Sequence, residues 1–254
     1  MQIESTKAEQ VFSHFAFPKS TELGVKVPKK TIADNASLSS GDKPLIKEVL
    51  KSLVWRYTMK PETVNIPVFE DGLHEYKEIA ILHVIVKSTN KTKQLCKLLH
   101  HQIPYPTMLV VEYEDSVALS LADKRINQVD HSKLTIEHQY DTGWIGSEVT
   151  DTFVLDFFSD FRFDHCSTLS LYDFYSGLIQ KLNFLEAAKT TGKYGNSNEK
   201  DLTPLITELA MLEGQLQTIR NKIIKETQMN TKMRLNVEAR KVKQAISAIT
   251  SQLT

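Results

Sequence analysis

The chain has 254 residues, and its 31 basic side chains balance 31 acidic ones, so whole-chain charge selects neither for nor against a polyanionic partner. Hydrophobic residues make up 41% of it, enough for one large domain or one domain with an appendage. The two cysteines, Cys96 and Cys166, are no disulfide framework and fit a reducing compartment.

Residues 1–10 are polar and mixed in charge with no apolar run after them, which argues against an ordinary secretory signal. The longest apolar run, 79–86, is interrupted by His83 and is too short to span a bilayer as a helix. A cytoplasmic location without membrane contact is therefore expected. Pro18 stops any element begun at 11–17, and Val27-Pro28 reads as extended because a residue before proline is pushed out of the helical region. Residues 35–41 are small and polar and predict a loop. A helix is predicted over 44–57, with Asp42 as its cap and Ile46, Val49, Leu50, Leu53, Val54 and Tyr57 on one face. A short strand is predicted over 63–69, at an edge because it holds Pro67.

Residues 78–87 are almost continuously apolar and β-branched, the pattern of a strand buried on both faces. A short helix over 92–101 follows, then a break at Pro104-Tyr105-Pro106 and a second buried strand over 107–113. Glu114-Asp115 turns the chain into a third strand over 117–122, and a half-exposed strand follows over 134–138. Strand–helix–strand implies a parallel crossover, and the third strand adds a hairpin. Residues 150–190 read as helical, and 192–200 as a polar, glycine-bearing linker. Beyond it, Leu205, Leu209, Leu212, Leu216, Ile219 and Ile223 follow alternating four–three spacing, as do Leu235, Ala239, Val242, Ile246, Ile249 and Leu253. The two seams are out of register across 225–234, so the chain either folds back there or continues as one helix with a stutter; near-equal arms favour an antiparallel hairpin. The expected class is α/β or α+β, a mixed central sheet with flanking helices over 1–191, a linker over 192–200, and a C-terminal α-helical coiled-coil hairpin over 201–254.

No phosphate-cradling glycine loop, nucleophile elbow, paired Cys-x-x-Cys or His-Glu-x-x-His occurs, so neither a cofactor nor a metal is expected and the residues favour binding over catalysis. Glu75-Tyr76-Lys77 has the Glu-x-Lys pattern of metal-dependent nucleases, with Asp71 as a further ligand, but Asp71 is too close in sequence to sit on a partner strand. His100 and His101 end a helix, where cations complement the dipole, and His83 reads as a core histidine. Asp164-His165-Cys166 resembles a nucleophile cluster only in composition, since adjacent side chains on a bend rarely meet. Lys60, Asn65, Tyr105 and Lys124 flank connections or strand ends, where α/β proteins carry function, and are the expected binding surface; the alternative is that they are turn-formers. Arg220, Lys225, Lys232 and Arg234 lead a basic cluster around the join of the two seams, suited to phosphate backbone or an acidic partner, or else a solvated helix face.

Phe17-Pro18-Lys19-Ser20-Thr21, Val27-Pro28-Lys29, Trp55-Arg56-Tyr57-Thr58-Met59-Lys60-Pro61-Glu62-Thr63-Val64-Asn65-Ile66, Ile103-Pro104-Tyr105-Pro106 and Lys225-Glu226-Thr227-Gln228-Met229-Asn230-Thr231-Lys232 occur in this order, with Leu235-Asn236 after them. Together they resemble a bacterial domain-of-unknown-function family whose genes sit beside DEAD/DEAH-type helicase and DNA methyltransferase genes in restriction-modification-like defence loci. Met59 stands where leucine is expected. The resemblance implies a role in a DNA-directed complex beside the helicase or methyltransferase of its locus. Together with the missing catalytic motifs, the heptad seams and the basic cluster, it makes a non-catalytic accessory or assembly subunit of an antiphage system the expected function, one that oligomerises or binds a partner helix through the coiled coil and is able to touch DNA. A divergent metal-dependent nuclease using Asp71, Glu75 and Lys77, and a stand-alone coiled-coil DNA-binding protein, are the alternatives.

Overall fold

The computed structural model describes residues 6–34, 38–39, 41–130, 134–146, 151–195 and 203–253. Part of the expected 35–41 loop and most of the expected 192–200 linker lie outside them. The chain divides into two compact units, 1–151 with 158–182, and 152–157 with 183–254.

The first unit is built on a six-stranded mixed sheet of β1 (Glu22–Lys26), β2 (Leu50–Met59), β5 (Ile79–Val86), β6 (Thr107–Tyr113), β7 (Ser116–Ile126) and β8 (Leu134–Asp141), in the spatial order β1-β2-β5-β6-β7-β8. Two-residue strands β3 (Phe69–Glu70) and β4 (Glu75–Tyr76) form a separate hairpin. β5 and β6 run parallel through the crossover helix α5 (Thr92–Gln102), and the other neighbours run antiparallel. This is the crossover and hairpin expected from the two buried apolar runs.

Alternation along β5 divides the sheet into two faces. Ala80, Leu82, Val84 and Val86, with Leu109 and Val111, pack on Ile46 and Val49 of α3 (Asp42–Val49) and on Leu95, Leu98 and Leu99 of α5. On the other face α1 (Lys7–Phe15) brings Phe12 against His83, edge to face at 5.7 Å. There too, Tyr175 of α7 (Leu171–Thr191) extends the β6–β7 ladder beyond its last pair, Met108↔Leu121. Its hydroxyl donates to Thr107 O at 2.7 Å and accepts from Ala122 N–H at 3.0 Å.

Two elements differ from expectation. The helix predicted over 44–57 stops at Val49, and β2 begins at Leu50. Leu50, Leu53 and Tyr57 satisfy helical spacing, but Val54, Trp55, Tyr57 and Thr58 are β-branched or aromatic, and the ladder from Leu50↔Val86 to Met59↔Ile79 overrides the local pattern. The strand predicted over 63–69 is a single turn, α4 (Pro61–Val64), followed by an irregular stretch up to β3. Pro61 opens the turn, Thr63 Oγ1 accepts the Lys60 N–H at 2.9 Å, and Asn65 closes it with φ +54°.

The remaining strands shape the sheet's rims. Among the described residues β1 pairs only with β2, and it carries a bulge at Gly24, whose φ is +66°. In β2 the register shifts between Leu50 and Ser52 and again between Trp55 and Tyr57, at Arg56.

Helix α6 (Thr152–Asp160) and α7 each contribute to both units. In the second unit α8 (Thr203–Lys225) and α9 (Met229–Leu253) pack together. Leu209 clusters with Ile249 and Ala187, while Leu216 and Ile219 cluster with Ala239. The chain breaks at 226–228 without proline or glycine: the Glu226 carboxylate accepts the N–H groups of Thr227 and Gln228, both at 2.8 Å, in place of the helical bonds. Among the described residues no helix is long and apolar enough to cross a membrane.

Candidate functional site

Three of the four residues expected to form a binding surface gather at one end of the sheet, where β2 ends and β5 and β6 begin. Lys124 is the centre of this corner. It lies inside β7, which runs past the predicted end at 122, and it is only 2% exposed. Its Nζ donates to Ile103 O at 2.9 Å and to Tyr105 O at 2.6 Å, with Thr107 Oγ1 at 3.5 Å. Pro104 and Pro106 cannot donate backbone hydrogen bonds, and the lysine supplies donors to the carbonyls of the residues that precede them, Ile103 and Tyr105. With no carboxylate bonded to this amine among the described residues, burial pushes its pKa down to about 7.

Beside it, His100 in the last turn of α5 is fully buried. Its Nε2 is 3.1 Å from Ser120 Oγ, and its Nδ1 meets no hydrogen-bond partner among the described residues. Burial first, and then the charge of Lys124, hold it neutral, well below the ordinary imidazole pKa. Held neutral, His100 is not the cationic dipole partner expected from the sequence. Ser120 also accepts from Gln139 Nε2 at 3.2 Å.

At the outer side of the corner, Lys60 Nζ pairs with Glu78 Oε2 at 2.8 Å, which raises its pKa, and the Tyr105 phenol adds to the same effect. Asn65 stands apart. It closes α4, and no hydrogen bond joins it to the other three among the described residues. Lys124 and Asn65 thus have structural duties, and the half-exposed Lys60 presents the accessible charge.

A second polar group was not anticipated in the sequence. Arg56, aimed by the register shift between Trp55 and Tyr57, makes a bidentate pair with Glu9 of α1 at 2.7 and 3.0 Å, and its guanidinium lies 5.0 Å from the Phe12 ring centre. Next to it, His83 Nε2 is 2.9 Å from Glu112 Oε2, which also accepts from Thr6 Oγ1 at 3.0 Å. Burial lowers the His83 pKa, against the opposing pull of Glu112. Both side chains are buried beneath α1, so the group fastens α1 to the sheet. The signal for it was present: one ionisable residue inside each of two otherwise apolar strands, His83 in β5 and Glu112 in β6.

Asp71, Glu75 and Lys77 share the β3–β4 hairpin. Asp71 Oδ1 accepts the N–H groups of Leu73 and His74 at 2.7 and 2.5 Å, which holds its pKa low. Lys77 pairs with Glu75 and, at 3.4 Å, with Glu70. Turn geometry and ion pairing therefore engage all three. Among the described residues no three His, Cys, Asp or Glu side chains gather into a group able to hold a metal ion. In the Asp164-His165-Cys166 segment, Asp164 pairs with Arg162 at 3.0 Å and Cys166 Sγ donates to Arg162 O, so the segment holds its own bend.

A groove of about 850 Å³ between α3 and α5 is lined by Leu45, Leu98 and Ile103 together with Glu48, Lys97 and His101. Its mixed charges select no single ligand sign. The basic cluster is more one-sided. Arg220, Lys225 and Arg234 are exposed and Lys232 partly so, and all four lie within two turns of the 226–228 connection.

No curated protein and no solved structure matches the chain. A family model described as a domain of unknown function, DUF4391, matches residues 15–246. That span holds both the sheet with its buried lysine corner and nearly all of the basic helical pair, and the chain belongs to the DUF4391 family.

Proposed function

We propose that the protein is a non-catalytic accessory or assembly subunit of a helicase- and methyltransferase-containing antiphage defence system. In this reading it works in the cytoplasm, α8 and α9 form a coiled-coil hairpin that mediates assembly, and their connected end touches a partner of the same locus or the DNA backbone. The observation that carries the reading is the exposed basic cluster at that end, Arg220, Lys225 and Arg234 with Lys232 beside them. The likeness to a family encoded beside helicases and methyltransferases supplies the setting. The buried polar groups of the first unit favour a scaffold: their donors and acceptors are largely taken up by the fold itself.

Charge reversal tests it. With Lys232→Glu and Arg234→Glu together, duplex DNA affinity at low salt is expected to fall. The slope of log affinity against log salt is expected to flatten by about one for each phosphate that the variant no longer neutralises. If the charges serve an acidic protein surface instead, recovery of the partner drops and DNA affinity does not. A double variant that keeps full DNA affinity and full partner recovery refutes the reading.

A further inference from the structure

α9 carries two apolar faces. One packs on α8 through Leu235, Ala239, Val242 and Ile246. The other is Met229, Met233 and Val237, which are 72%, 61% and 58% exposed. Spacing of four places the three on one side of the helix, over about 12 Å of its length. The outer face of a surface helix is ordinarily polar, so an unpaired stripe of this kind calls for a cover.

We propose that this outer face of α9 docks an amphipathic helix of another protein, one whose apolar stripe is bordered by aspartate and glutamate. The inference rests on the accessory-subunit reading and names the chemistry of its partner. Charge selects the occupant. Residues 224–243 contain Lys225, Lys232, Arg234, Arg240, Lys241 and Lys243 against only Glu226 and Glu238. Arg234, Arg240 and Lys241 are exposed alongside the stripe. A phosphate backbone would meet these charges but leave two thioethers and an isopropyl group in water. A second copy laid on the same stripe would cover them but bring like charges together, which works against association. An acidic amphipathic helix satisfies both surfaces, and flexible methionines adapt to the side chains of an incoming helix.

The test uses the full chain and a fluorescent synthetic helix of about 20 residues, with leucines at three–four spacing bordered by glutamates. Its twin has lysines at the borders. Binding of the glutamate-bordered peptide and not the twin is expected by anisotropy. Met233→Gln with Val237→Gln is expected to weaken that binding about tenfold or more, the scale of losing roughly one buried aliphatic side chain. Helical circular dichroism and duplex DNA affinity are expected to stay unchanged, because the basic residues are kept. Equal binding of the two peptides, or no effect of the substitutions, overturns the proposal. So does a dimer in sedimentation that the substitutions abolish, since the stripe would then serve a second copy. If charge reversal at Lys232 and Arg234 abolishes DNA binding while the peptide results fail, the accessory-subunit reading stands and this inference falls.

Discussion

Replacing Lys124 with methionine should change how stability depends on pH more than it changes the fold. The folded amine titrates near 7, while the unfolded one keeps its ordinary value of 10.5. Between those values the unfolded chain holds one more proton than the native chain, so this group makes stability rise with pH; below 7 both states are charged and its contribution is flat. The rise amounts to about 1.4 kcal/mol per pH unit, or about 2–3 kcal/mol between pH 6 and 9. Methionine removes it. The substitution also takes the amine donors from the carbonyls of Ile103 and Tyr105, a cost of about 1–3 kcal/mol each that displaces the curve without tilting it. Urea unfolding of both proteins at pH 6, 7, 8 and 9, followed by far-ultraviolet circular dichroism, isolates the difference: groups that do not sense Lys124 cancel, and burial, the larger cause at His100, keeps that imidazole neutral in both proteins. Stability curves that run parallel across this range would refute the buried, uncompensated amine.

Two further substitutions probe the other polar group and the helical pair. Glu112→Gln removes the charge that opposes burial at His83, so the imidazole pKa should fall further below its ordinary value; nuclear magnetic resonance titration of the His83 ring should show this, and an unchanged or raised value would contradict the pairing. Ala239→Asp places a carboxylate among Leu216, Ile219 and Val242 and should loosen α8 from α9 at a cost of several kcal/mol, read as an earlier loss of helical signal on heating; an unchanged transition would count against the packing of the two helices there.

The sequence discloses those parts of the fold in which composition and period agree. The apolar runs at 78–87 and 107–113 are β-branched and short, and no helix assignment competes with them. Residues 50–57 fit both periods, and only the pairing of β2 with β5, distant in sequence, decides between them. The corner around Tyr105 is legible because Pro104 and Pro106 mark it, yet the burial of Lys124 is not, since a lysine at a strand end reads as solvated until the loop carbonyls close on it. Arg56 and Glu9 lie 47 residues apart, and neither implies the other before α1 is laid on the sheet. At the end of α8, the Glu226 carboxylate does what a glycine or proline would have announced, which is why composition leaves both a fold-back and a continuous helix open at the join.

The kinked rim at β1 bears on self-assembly. A strand from a neighbouring molecule can lengthen a sheet only if it meets evenly spaced N–H and C=O groups over several residues. β1 is five residues long, and the left-handed turn at Gly24 throws its outward row out of step near the middle. Leu23 and Val25 can therefore stand about half exposed on that rim without offering a template for cross-β growth.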